Sequence, residues 1–354
     1  MQQNNFNNNY GGYGGYKSPV APPGYYNYTK IPQGLDFKTY EEKKKIKKAA
    51  WCISLSLIAL WLISEFWVYG YIFVMSILGF SSEKMINILF EPAVMNVFSI
   101  FISMFIFTLP FIIIFKIGKY RISDLVILEK PEKNLILPFI LIGIAFCYLA
   151  NIATSYTQSI FDLFGVDYSV DYGEDPTGFF GFTLSIISTA IVPAFVEEFA
   201  CRGIILGVLR KFGDGFAVLT SSILFGLMHG NFEQMPFAFM VGLILGFITV
   251  KSGSMWIAIA VHGFNNLSSV VLSYTLPAFS VQIQNLIYIC LMSFYLIIGI
   301  IGILILKNRN SDFFNFKKPD SVLREKKKHL YFFTSPFIIV FTGLCIWDSL
   351  QFFV

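Results

Sequence analysis

Residues 179–212 read FFGFTLSIISTAIVPAFVEEFACRGIILGVLRKF, an apolar run long enough to cross a bilayer that carries charge at Glu197, Glu198 and Arg202. A spanning helix needs about 20 predominantly apolar residues. An ionisable side chain at its centre costs about 2.5–3.5 kcal/mol on insertion scales, so such residues default to function. The stretch therefore sets the fold class and a site together.

The whole chain agrees with the class. Of 354 residues 55% are hydrophobic and only 14% charged, against about 25% charged in average globular chains. The runs are continuously apolar, unlike the alternating segments of a membrane β-barrel. The expected fold is all-α: a polytopic transmembrane helical bundle of about nine spans (eight to ten). Its segments lie near 49–78, 93–115, 135–155, 179–212, 216–230, 235–250, 254–275, 283–306 and 330–350. Residues 1–37, rich in Asn, Gly and Tyr, are expected to form a disordered cytoplasmic tail. Transmembrane helices of 38–155, a transmembrane core over 178–275 that holds the charged cluster, and C-terminal helices over 276–354 complete the expected division.

Charge placement gives a topology. The net charge of +4 gathers in KTYEEKKKIKK (38–48), KIGKYR (116–121), RK (210–211) and LREKKKH (323–329), each bordering an apolar run. Alternation of nine spans puts these segments on one side, whereas YTQSIFDLFGVDYSVDYGEDPT (156–177), with acids and no base, falls on the other. By the positive-inside rule the N-terminus is expected to be cytoplasmic, in a multi-pass protein whose expected location is a bacterial plasma membrane. No separate soluble basic domain exists to bind nucleic acid. The cysteines stand singly in apolar segments, so neither a disulfide framework nor a zinc ribbon is indicated.

Besides the 197–202 cluster, and Asp348, which interrupts the last segment, the spans hold Glu65, His229 and His262. Glu65 has no partner nearby in sequence and reads as a packing residue. Glu198 and Arg202 are spaced i, i+4 with the acid first, the favourable order for an ion pair. Glu197 points about 100° away and lacks that cation. A buried carboxylate without a partner accepts a proton more readily and can take one from water. The paired acid thus reads as structural and the free acid as chemical. His229 has Phe225 one turn before it, and His262 has Asn266 one turn after it. Imidazole can donate, accept or bind a metal, and the carboxamide can donate to an oxyanion.

EEFACR fits Glu-Glu-x-x-x-Arg, FGLMH fits Phe-x-x-x-His and HGFNN fits His-x-x-x-Asn. In that order on successive apolar segments, they resemble the CPBP family (also called ABI) of intramembrane proteases. That family includes CAAX prenyl proteases and bacteriocin-processing or immunity-linked relatives. The resemblance implies an endopeptidase acting on a membrane-associated protein or peptide in the lipid bilayer. It implies Glu197 as the base that activates water and His229 as its positioner. His262 and Asn266 would stabilise the oxyanion, and Glu198 with Arg202 would hold the helix. A divalent metal such as zinc stays open and is not required; Glu197, His229 and His262 would be its ligands. There is no His-Glu-x-x-His helix. The rival readings are a non-catalytic immunity or scaffold member and an ion-coupled transporter.

Overall fold

Asp36 opens the first helix by accepting the backbone N–H of Thr39 at 3.0 Å, an N-cap of the usual kind. The structure, a computed structural model, describes residues 36–170, 173–309, 314–316 and 320–353. The expected N-terminal tail lies almost wholly outside the described residues. Helices follow in the order α1 (Phe37–Ile77), α2 (Ser82–Leu89), α3 (Pro92–Ile117), α4 (Lys133–Leu163) and α5 (Gly178–Phe212). Then come α6 (Asp214–Leu227), α7 (Gln234–Ser252), α8 (Met255–Thr275), α9 (Val281–Arg309), α10 (Glu325–Phe333) and α11 (Pro336–Leu350). Among the described residues the only β pairing is two isolated bridges, Leu128 with Ser254 and Tyr168 with Phe353.

Seven helices are long and apolar enough to cross a membrane, or up to eight if the bent pair α10–α11 is one span. The expected nine is not reached, for two local reasons. The segment near 216–230 forms only the 14-residue α6, bounded by Gly213 at φ 128° and Gly230 at φ 65°. Both lie in the left-handed region that glycine adopts freely and that ends a helix. The segment near 330–350 breaks by 71° between Phe333 and Pro336, because a residue before proline is pushed out of helical geometry.

Side chains are distributed as a bilayer demands. Phe66, Tyr69 and Phe73 on α1 and Ile289, Ile297 and Leu304 on α9 face outward, while Glu198, Arg202, His262, Ser185 and Ser188 are buried. The centre of α5 is enclosed, with Ala200 to Leu206 all buried. α4 packs on α7 and α9, and α7 packs on α6.

The basic clusters share one end of the bundle. Lys48 and Lys211 both lie over the ring of Tyr120, at 4.9 and 5.9 Å, and Lys43 lies over Tyr331 at 4.7 Å. Lys328, fully buried, donates to Phe212 O at the close of α5 at 2.6 Å. At the other end Phe232 N–H donates to the Tyr168 hydroxyl at 2.7 Å, and Ser273 donates to Asp175 at 3.0 Å.

Candidate active site

The site is built on an irregularity in α5. Pro193 has no N–H to offer Thr189 O, its partner in an α-helix. The backbone widens into a π-helical turn over Ile186–Ile191, with Val192 N–H reaching back to Ile187 O. Thr189 O is taken instead by the carboxamide of Asn266 on α8, Nδ2 to O 3.0 Å. An α-helical stretch, Val192–Glu198, then carries the two acids, and a second π turn over Phe199–Ile205 follows. Wide turns of this kind are rare and recur at functional sites.

Glu198 and Arg202 form the expected pair, with Arg202 Nη1 at 2.7 Å from Glu198 Oε1 and side chains 1% and 0% exposed. Arg202 Nη2 also donates to Gly242 O on α7 at 3.4 Å, and the guanidinium stacks 4.3 Å over the ring of Phe225. Gly242 lets α7 pack closely on α6, since a Cβ there would stand 2.9 Å from Ser222 Cα.

His262 joins the same carboxylate: its Nδ1 lies 2.9 Å from Glu198 Oε1. Because that carboxylate is already paired with Arg202, Nδ1–H is the donor, which leaves the lone pair of a neutral ring on Nε2. Nε2 lies 4.0 Å from Glu197 Oε2. Glu197, at 16% side-chain exposure the more accessible acid, makes no hydrogen bond among the described residues. Glu198 Oε2 is buried and likewise without a hydrogen-bond partner.

His229 follows the end of α6, where its Nδ1–H donates to Phe225 O at 2.7 Å, again leaving Nε2 as the acceptor. It meets the other residues through Phe225. That ring is edge-on to His229 at 5.0 Å and to His262 at 6.0 Å, beneath the guanidinium. Asn266 is held apart: besides the bond to Thr189 O, its Oδ1 accepts from Asn265 at 3.1 Å. Four of the six residues are therefore linked in series, Arg202 to Glu198, Glu198 to His262 and His262 to Glu197. His229 is one aromatic ring away, and Asn266 faces the first π turn.

Among the described residues no three or more His, Cys, Asp or Glu side chains are grouped to hold a metal ion. Nδ1 of His229 and of His262 is engaged, by Phe225 O and by Glu198, which leaves Nε2 of each ring as the open nitrogen.

Sequence reasoning missed the partners that act through backbone, Thr189 O and Gly242 O. Only Pro193, four residues after Thr189, signals the first. It also passed over Phe225 as the common contact, although the phenylalanine is part of the Phe-x-x-x-His motif.

A bundle of apolar helices enclosing an acid pair, an arginine and two histidines defines a membrane-embedded protein with a polar, chemically competent interior. Residues 179–268, from α5 into α8, match the family model of the Type II CAAX prenyl endopeptidase Rce1-like proteins, so the resemblance read from the three motifs holds for this segment. The putative membrane peptidase YdiL of Bacillus subtilis (strain 168) is 31% identical over 90 residues, which is 25% of this chain and 37% of that protein. The matched region thus spans little more than a third of that relative. No solved structure matches. Family and relative both point to a membrane peptidase.

Proposed function

We propose that this protein is an intramembrane endopeptidase that hydrolyses a peptide bond of a membrane-associated protein or peptide, with Glu197 as the residue that activates water. One observation carries the reading. Glu198 is tied through Oε1 to both Arg202 and His262, whereas Glu197 makes no hydrogen bond among the described residues and has His262 Nε2 at 4.0 Å. Glu197 takes a proton from water as the oxygen attacks the scissile carbonyl carbon, and returns it to the nitrogen that leaves. His262, anchored through Nδ1, presents Nε2 to that exchange and, when protonated, donates to the oxyanion. His229 Nε2 orients the water. Asn266 reaches the oxyanion after releasing Thr189 O. Glu198 and Arg202 hold α5 against α7 and α8. Clustering of the basic segments at one end supports a cytoplasmic N-terminus.

The test is cleavage of a library of membrane-spanning peptides by purified protein in liposomes, read by mass spectrometry. Glu197→Gln loses cleavage while its unfolding midpoint stays at the wild-type value. Equal cleavage by Glu197→Gln and wild type overturns the assignment of the base. An absence of cleavage by either favours the non-catalytic scaffold.

A further inference from the structure

A cavity of about 340 Å³ lies between α1, the turn after α6 and the C-terminal part of α11, and it reaches His229. Two carboxylates line it: Glu65, which reads from sequence as a packing residue, and Asp348, which interrupts the last apolar segment. Trp61 Nε1 donates to Asp348 Oδ2. Neither acid takes part in an ion pair among the described residues, and neither Lys nor Arg is among the described residues lining the cavity. Gly230 brings the turn close: its φ is 65°, and a Cβ there would lie 3.5 Å from Asp348 Oδ2.

Glu65 is exposed and Asp348 half-buried, so both carboxylates are open to an entering group. Two acids close together on apolar helices favour a cation between them. The volume is that of an organic ligand and far exceeds that of an ion. The wall contributed by Leu60, Trp61 and Phe341 is apolar, which suits the aliphatic stem of a long cationic side chain. Contact with His229 places whatever binds here next to the proposed chemistry.

We propose that this cavity is a substrate subsite that receives an arginine or lysine side chain of the peptide to be cut, its charge held by Glu65 and Asp348. The specificity rests on the peptidase reading; the binding does not. The probe is a fluorescent Leu/Ala peptide of about 20 residues carrying one Arg, compared with the same peptide carrying neutral citrulline. Binding to the full-length protein in detergent is followed by anisotropy.

Wild type should bind the Arg peptide about ten-fold more tightly than the citrulline peptide, a difference of about 1.4 kcal/mol. The double variant Glu65→Gln/Asp348→Asn should lose that preference while binding citrulline peptide as before. The carboxamide oxygen that Asp348→Asn introduces can still accept from Trp61, which protects the fold. Should the double variant fail to fold, Glu65→Gln alone carries the test with a loss of about three-fold. Equal binding of the two peptides by wild type, or an undiminished preference in the variants, overturns the subsite. So does competition by Ca²⁺ alone that the double variant lacks, with no Arg preference in wild type. The two readings separate cleanly. A subsite failure leaves cleavage of neutral peptides intact, and a peptidase failure leaves the Arg preference in binding without cleavage.

Discussion

Removing Arg202 tests the electrostatic core of the site. In Arg202→Met, Glu198 loses the guanidinium at 2.7 Å and keeps only His262 Nδ1, with Oε2 still buried and unbonded. Breaking a buried pair by deleting one partner costs about 3–5 kcal/mol. The lost stacking on Phe225 adds about 1 kcal/mol, partly recovered by packing of the methionine. The expected destabilisation is about 4 kcal/mol, measured by reversible SDS-induced unfolding in mixed micelles. In Glu198→Gln/Arg202→Met the carboxylate is gone as well, so no uncompensated charge remains. The double variant should be less destabilised than Arg202→Met alone, by about 2 kcal/mol. A single variant within about 1 kcal/mol of wild type would refute the reasoning. So would simple additivity of the two changes, since contacting residues in one network couple.

Gly242→Ala should destabilise by about 1–3 kcal/mol, because its Cβ would sit 2.9 Å from Ser222 Cα. It should also slow the proposed cleavage, since α7 carries the carbonyl that holds Arg202; wild-type stability and rate would show that the contact relaxes freely. Burial, helped by the neighbouring Cys52, pushes the Tyr120 hydroxyl up to about 12 from an ordinary 10.0. Its folded pKa is raised, so its contribution is full below about pH 10 and lost as pH rises toward about 12. The unfolding midpoint should fall in that window for wild type and fall less steeply for Tyr120→Phe.

Much of this was legible because the deciding features are local. Charge inside an apolar run marked α5, and i, i+4 spacing placed Glu198 on Arg202, which burial then forces to be satisfied. What escaped depended on backbone conformation or on distant parts of the chain. The segment near 216–230 has a spanning composition, yet Gly213 and Gly230 close it after 14 residues. Asn266 shares a helical face with His262, but which neighbour it meets depends on a carbonyl of α5. Asp348 meets Trp61 across 287 positions, a pairing no window of sequence contains.

The position of Pro193 explains why the parts of the site act as one. In a regular helix Thr189 O would accept the N–H of residue 193 within α5. The missing N–H leaves that carbonyl to α8, so Asn266 docks there while His262 docks on Glu198. α8 is thereby fixed to α5 at two levels on either side of the proline. Nδ1 of His262 is committed in that docking, and Nε2 is left beside Glu197. The two acids are thus unequal because of what holds them. Glu198 is consumed in assembling α5, α7 and α8, and Glu197, one position earlier, inherits the imidazole face which that assembly leaves open. A carboxylate at 197 without the anchored ring would be a buried charge with no proton partner, and the ring without Glu198 would have no fixed orientation.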